Sequence, residues 1–365
     1  MKRIAISLIC LLVTSCSPKI GPRNVKDDSV KYNEAVKTGF DRQLLMNIVR
    51  LRYRDTPAFL EVGIVSSSYD FKRSISSQFE TGNVDFPTVG WKPSIGMDYS
   101  EKPTTTYQPL TGKLFVDRLL SPIRFDTFIL LNSSGWNIDR LMRCCVQRMN
   151  NIKNAPRASG PTPSTIPDYE DFLELATLIQ NLEVNDALHF MKKQDADTKD
   201  PYYLMTVDPD VADLNVMNRL WTLLELDPGT YQFYLTRFSG KKHRGNEIAI
   251  ETRSPLGVLY FLSHGVNVPF HDEISGRVTM TLEPNGEVFD WNNVLNDLMS
   301  IHNVPIARKS RNLPCYGIAV CYRGNIFYID DSDLASKSTF NLISQLMALQ
   351  TGCPDLPLLT LPIVQ

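Results

Sequence analysis

The chain has 365 residues, with 38 Lys plus Arg against 40 Asp plus Glu. That length is enough for one large or two ordinary domains with proper cores, and the near balance of charge gives no electrostatic basis for nucleic acid as a partner. Beyond the amino terminus no apolar run approaches the roughly 20 residues that a membrane-spanning helix needs, so a water-soluble body is expected.

The chain opens Met1-Lys2-Arg3, continues with a mostly apolar run from Ile4 to Val13 and reaches Thr14-Ser15-Cys16. Two positive charges, a short apolar core and small residues before a cut are the parts of a secretory signal. The stretch Val13-Thr14-Ser15-Cys16 resembles the lipobox of bacterial lipoproteins. That resemblance implies removal of residues 1–15, acylation of Cys16, and membrane lipid as a partner through Cys16. Several acyl chains on one residue make a stable anchor, where a single chain is marginal. Ser17, where an Asp would signal retention, favours the outer membrane with the body facing the periplasm. Loss of Lys2 and Arg3 would leave 36 basic against 40 acidic residues, a net charge of −4.

Of seven cysteines, Cys10 would leave with the signal and Cys16 would carry lipid. Cys144, Cys145, Cys315, Cys321 and Cys353 remain, an odd number in an oxidising compartment, so at most two disulfides form; buried free thiols are the equal alternative. No pair has the CxxC spacing of zinc or thioredoxin-like chemistry.

Residues 16–35 are polar and carry Pro18, Gly21 and Pro22, which reads as a flexible tether. A first domain is expected over 36–154. Asp41 opens a helical pattern in which Leu44, Leu45, Ile48, Val49 and Tyr53 recur up to Thr56-Pro57. From Ala58 to Thr111, β-like runs punctuated by Gly82, Pro87, Gly90, Pro93, Gly96, Pro103 and Pro109 predict short strands joined by turns. Helices are expected from Gly112 through Arg118 and from Asp126 to Asn151, the second broken near Ser133-Ser134-Gly135. Residues 155–167, rich in Pro, Ser, Thr and Gly, read as a linker or exposed loop.

A second domain is expected over 168–365. A helix starts at Asp168-Tyr169-Glu170 with the stripe Phe172, Leu175, Ile179 and Leu182. A second spans Pro209 to Leu226. Strands Tyr231 to Phe238 and Glu247 to Thr252 flank the charged segment Gly240-Lys241-Lys242-His243-Arg244-Gly245, read as a hairpin turn. Ser254-Pro255 is a helix start, with Gly265 as its stop. The last unit is a strand Cys315 to Tyr322, a turn Arg323-Gly324-Asn325, a strand Ile326 to Ile329 and a helix Ala335 to Gln350. Hairpins and helices without βαβ alternation make the fold class α+β, antiparallel hairpins with packed helices.

The most site-like cluster is Asp330-Asp331-Ser332-Asp333, whose carboxylates are spaced to share a calcium or magnesium ion. The EF-hand pattern is not completed, and acids at a helix start also serve as caps. His264 and His271 beside Asp272 and Glu273 do not match a helical metal-ligand spacing. Ser336-Lys337-Ser338-Thr339 lacks the serine three residues before lysine that SxxK enzymes use, and Gly240 to Gly245 lacks the Lys-Ser/Thr of a P-loop. No cofactor is indicated.

Asp41-Arg-Gln-Leu-Leu-Met-Asn-Ile-Val-Arg50 with Arg52-Tyr53, Ser134-Gly-Trp-Asn-Ile-Asp-Arg140, Ser254-Pro-Leu-Gly-Val-Leu259, and Tyr322-Arg-Gly-Asn-Ile-Phe-Tyr-Ile-Asp-Asp331 with Ser336-Lys-Ser-Thr-Phe340 resemble a family of uncharacterised bacterial envelope lipoproteins. The resemblance implies no activity and no functional residue. The expectation is therefore a lipid-anchored accessory or assembly component of an envelope complex, with envelope protein partners. The alternative is an envelope hydrolase, or a lipoprotein binding carbohydrate or peptide, using Asp330, Asp331 and Asp333.

Overall fold

The computed structural model describes residues 20–81, 89–195, 199–240, 244–306 and 316–350. The signal segment, Cys16, Cys315 and Cys353 lie outside them, as do residues 241–243 of the charged segment. The chain divides into two compact units, one of residues 58–110 and one built from the segments on either side. The fold is α+β, with helices beside antiparallel and mixed sheets.

The first helix, α1 (Ile20–Arg52), is 33 residues long and begins inside the stretch expected to be a flexible tether. Gly21 and Pro22 fall in its first turn, where a missing N–H is tolerated. From Asp41 onward the helix is buried on the face of Leu44, Leu45, Ile48 and Val49, while residues 29–39 are largely exposed. The apolar stripe therefore marks where burial begins rather than where the helix begins.

The smaller unit is one antiparallel pair, β1 (Leu60–Thr81) and β2 (Val89–Pro109), of 22 and 21 residues. The register runs from Leu60↔Pro109 to Thr81↔Val89 with one bulge between Val62 and Val65. Two long strands thus replace the expected series of short ones. Gly82 and Pro87 lie outside the described residues. Pro93 and Pro103, ten residues apart and opposite Ser77 and Ser67, share one phase of the ladder, the phase in which the residue's N–H is turned to the outer edge.

In the larger unit, α2 (Gly112–Phe115) runs into a π turn at Val116–Leu120, followed by α3 (Phe125–Ser133) and α4 (Ile138–Cys145). The helix expected to reach Asn151 stops at Cys145 and becomes β3 (Val146–Met149), which turns back into β4 (Ile152–Lys153). Next come α5 (Glu170–Val184), β5 (Leu188–Gln194), β6 (Pro201–Val207), α6 (Leu214–Leu224), β7 (Gln232–Arg237) and β8 (Glu247–Thr252). These strands form one six-stranded sheet of order β4-β3-β8-β7-β6-β5. Its pairs are antiparallel except β7 and β8, which are parallel. Strands β7 and β8 are therefore not the two arms of the hairpin that the charge and glycines between them suggested.

Because β3 and β4 share this sheet with β5 to β8, the expected boundary between 36–154 and 168–365 is not a domain boundary. Residues 155–167 are not an exposed linker either. Ala155, Ala158 and Thr162 are buried, a 3-10 turn spans Pro156–Ser159, and Thr165 bridges Leu282.

Helix α7 (Pro255–Ser263) is buried on most of its faces, and its start is as the sequence indicates. Ser254 Oγ accepts from Gly257 N at 3.1 Å with Pro255 at the first position. It ends where Gly265 lies against the Met299 carbonyl, 2.4 Å from where a Cβ would sit. Short helices α8 (Phe270–Ile274) and α9 (Asn292–Leu295) lead to β9 (His302–Pro305), β10 (Tyr316–Tyr322) and β11 (Asn325–Asp330), a sheet of order β10-β11-β9. The chain then enters α10 (Leu334–Gln350).

Arg253, directly after β8, is 1% exposed. Its guanidinium donates to the carbonyls of Arg143 (3.1 Å), Cys144 (3.1 Å), Val146 (2.8 Å) and Asn154, and to Ser159 Oγ (3.0 Å). The Phe261 ring lies 3.9 Å beneath it. Burial drives its pKa down to about 9, so it remains a cation at neutral pH. The carbonyls of Arg143 and Cys144 belong to the last turn of α4, which has no partners of its own and carries the negative end of the helix dipole. Arg253→Met keeps the bulk but takes the guanidinium from the Cys144 and Asn154 carbonyls, while those of Arg143 and Val146 keep Asn154 Nδ2 as a donor (2.9 and 2.7 Å). We expect urea unfolding to show a loss of about 3 kcal/mol; a loss well under about 1 kcal/mol would show that the carbonyls find other donors.

Candidate functional site

The acidic turn between β11 and α10 is the first place to look for chemistry. Asp333 caps α10, accepting from Ser336 N at 2.9 Å and from Ser336 Oγ at 2.6 Å. Ser336 Oγ in turn accepts from Ser300 N at 2.8 Å, so the cap also ties down the segment before β9. Asp330 accepts from Ser332 N (2.9 Å) and Oγ (2.6 Å), which holds its carboxyl below the ordinary range. Asp331 pairs with Lys337 Nζ at 2.7 Å. The three carboxylates thus have three separate partners. Among the described residues no group of three His, Cys, Asp or Glu side chains could hold a metal ion.

The two histidines are not brought together as ligands. His264 is 5% exposed and its ring lies 4.0 Å from that of Trp291, with neither nitrogen in a well-formed hydrogen bond. Burial, with the Arg52 charge adding to it, pushes its pKa down to about 3. The His271 carbonyl receives Ser275 Oγ at 2.7 Å. Asp272 accepts from Tyr53 Oη at 2.8 Å and Arg277 Nη1 at 2.6 Å. Burial alone would raise its pKa, but these two hydrogen bonds prevail and the net shift is downward.

Tyr53 and Asp272 are half of a junction that sequence reasoning missed. At the end of α1, Asp55 accepts from Tyr322 Oη and, at 2.9 Å, from Arg323 Nη2. Arg323 lies 4.9 Å over the Tyr53 ring. Arg323 and Gly324 form the two-residue turn between β10 and β11 with φ of 45° and 80°. Both central residues of such a turn need positive φ, and Asp55 holds the non-glycine one there. Arg52, also buried, donates to the Thr279 carbonyl at 2.9 Å and to Thr162 Oγ1 at 3.2 Å. The signal was present as Arg52-Tyr53-Arg54-Asp55 and Tyr322-Arg323, but nothing in either segment says that they meet.

A cleft of about 490 Å³ opens beside Arg253, lined among others by Arg124, Asp126, Tyr203, Arg237 and Glu251. Its acids are already neutralised: Asp126 by Lys192 (2.7 Å) and Arg124 (3.2 Å), Glu251 by Arg148 (3.4 Å). The one hydroxyl–carboxylate pair named in its lining is Tyr203 with Asp126, where burial and the hydrogen bond to Asp126 push the Tyr203 pKa up, away from a ready nucleophile. Cys144 and Cys145 are free, buried thiols, and burial raises the first to about 11 and the second well above its usual value, so neither is a ready nucleophile. Cys321 is free and exposed.

No protein-family model, no curated protein and no solved structure matches the chain.

Two measurements test these assignments. Asp333→Ala should cost about 1 kcal/mol as a lost cap, whereas Asp331→Ala, at an exposed ion pair, should cost a few tenths; equal losses would contradict the capping role. For His264 the folded pKa lies below the unfolded one. The unfolded state therefore binds more protons between about pH 3 and 6.5, and stability present above pH 6.5 is lost as pH falls. Going from pH 7 to pH 5 should remove about 2 kcal/mol, and His264→Phe should abolish that component of the slope.

Proposed function

We propose that the chain is a lipid-anchored component of the bacterial cell envelope, attached through Cys16 to the outer membrane with its body on the periplasmic side, and that it acts by assembling with other envelope proteins. The observation that carries the assembly half is the β1–β2 pair. It is a two-stranded sheet with one long ladder on its inside, and among the described residues no further strand of its sheet pairs with either outer edge. An isolated hairpin is marginal in water, and a long open edge is a template for pairing with another chain. The lipid half rests on the resemblance of Val13 to Cys16 to a lipobox. The alternative, a hydrolase or ligand-binding lipoprotein built on Asp330, Asp331 and Asp333, draws no support from carboxylates engaged one by one in caps and turns.

Metabolic labelling with palmitate and native mass measurement after detergent extraction test the two halves. The wild-type chain should carry label that Cys16→Ser loses, and should elute in a complex larger than one chain. Label retained by Cys16→Ser, or a strictly monomeric species, would overturn the corresponding half.

A further inference from the structure

Alternate positions along a strand share a face. The register pairs Phe71 with Tyr99, Ile75 with Ile95 and Phe79 with Trp91, so these six positions lie on one face of the β1–β2 ribbon. The intervening pairs include Lys72 with Asp98, Ser74 with Gly96 and Ser76 with Ser94, which gives the other face a polar sequence. The alternation persists through both strands over the same rungs. Only Arg73, opposite Met97, and the pair Ser77 and Pro93 interrupt the apolar face.

The dimensions are specific. Phe71 to Phe79 and Trp91 to Tyr99 are each nine positions, and a strand crossing a bilayer needs about 9 to 11. Eight steps of about 3.3 Å span about 26 Å, against an apolar band of about 25 Å flanked by aromatic girdles in membrane barrels. Strand tilt shortens the vertical reach, and the flanking rungs Tyr69↔Glu101 and Thr81↔Val89 extend it. Aromatic rungs stand at both ends of the stretch, with Ile75 opposite Ile95 at its centre.

We propose that β1 and β2 enter the membrane as one hairpin of a β-barrel closed by several copies of this chain, with the Phe71–Phe79 face toward lipid and the Ser74–Ser76 face toward a water-filled lumen. The proposal rests on the envelope reading above and names the assembly. Hydrocarbon offers no hydrogen bonds, so both open edges have to be paired, and only a closed barrel pairs them all. Each copy supplies two strands, so the strand number is even, and a barrel wide enough for a water-filled lumen, about 16 strands, takes about eight copies. Pro93 removes one donor from the outer edge of β2, so the ladder between copies lacks one bond at that rung.

The test uses the full-length lipidated chain carrying Cys315→Ser, Cys321→Ser and Cys353→Ser; Cys144 and Cys145 are buried and stay. Single cysteines are introduced as Ser74→Cys, Ile75→Cys, Ser76→Cys, Ser77→Cys, Ser94→Cys and Ile95→Cys, labelled with an environment-sensitive fluorophore and reconstituted into phosphatidylcholine vesicles. Labels at 75, 77 and 95 should be quenched by nitroxide-bearing acyl chains, and those at 74, 76 and 94 by aqueous iodide. If all six are quenched by iodide alone, or are shielded from both quenchers, the membrane hairpin is refuted. If this happens while the chain still floats with the vesicles as a multimer, the envelope-assembly reading survives it. If the chain is instead monomeric and unlabelled by palmitate, that reading fails first.

Discussion

The larger unit depends on one buried cation that has no carboxylate partner. Arg253 is held by carbonyl oxygens from the end of α4, from β3 and from Asn154, and by Ser159. A planar guanidinium with five donors in a fixed fork can serve such a ring, and an ammonium cannot. Its consequences spread in three directions. It terminates α4 by taking up the last carbonyls, which frees Val146 to begin a strand. It pins the 155–167 segment against the sheet through Asn154 and Ser159. It also fixes the entry to α7, because the residue that caps α7 is its neighbour Ser254.

A second junction fastens the amino-terminal helix to the body. Tyr53, Asp55, Asp272, Arg277, Tyr322 and Arg323 link the end of α1 to α8 and to the β10–β11 turn. On the proposed lipid anchoring, this changes what lies between membrane and fold. The part of α1 ahead of Asp41, residues 20–40, rises about 30 Å at 1.5 Å per residue, and a helix of that length is a spacer of defined reach, where a coil would have allowed any distance. The junction is built of charged and aromatic groups that satisfy one another, so the spacer meets the body at a fixed point.

What was legible in the sequence were the features whose cause is local. Ser254-Pro255 fixes its own helix start, Asp333 caps the helix that follows it, and the Tyr322 to Asn325 turn follows from the φ requirements of a two-residue hairpin. What was not legible has its cause elsewhere in the chain. The helical pattern after Ile138 does not reveal that Arg253, more than a hundred positions away, stops it at Cys145. The small polar residues of 155–167 have the composition of a linker, and it is contacts with distant residues, Arg253, Arg52, Arg54, Thr281 and Leu282, that fasten them to the body. The two strands flanking the charged segment look like any hairpin, since strand direction is decided by how the intervening residues cross the sheet. Of the candidate site residues, the grouping of Asp330, Asp331 and Asp333 was visible, but not that each would take a different partner.

On the proposed barrel, the β1–β2 pair carries a sequence mark unlike that of a spanning helix. A spanning helix keeps all its backbone bonds to itself, so its mark is an unbroken apolar run, and no described helix of this chain is long and apolar enough to cross a membrane. A strand in a barrel needs only every second residue to be apolar, and its mean composition is that of an ordinary polar segment. The prolines and glycines that break up a short-strand reading do not break this ladder, because Pro93 and Pro103 fall at positions whose N–H the pair does not use. The same fact constrains any covering partner. A strand added to the outer edge of β2 loses a bond at each proline, whereas the outer edge of β1 has no proline from Leu60 to Thr81. Copies joined β1 to β2 around a ring would distribute that weakness evenly, one strong and one interrupted edge meeting at each interface. A heterologous joint of this kind closes only at a fixed number of copies, so the prolines that weaken each joint leave the ring's stoichiometry to be set by the tilt and stagger of the strands.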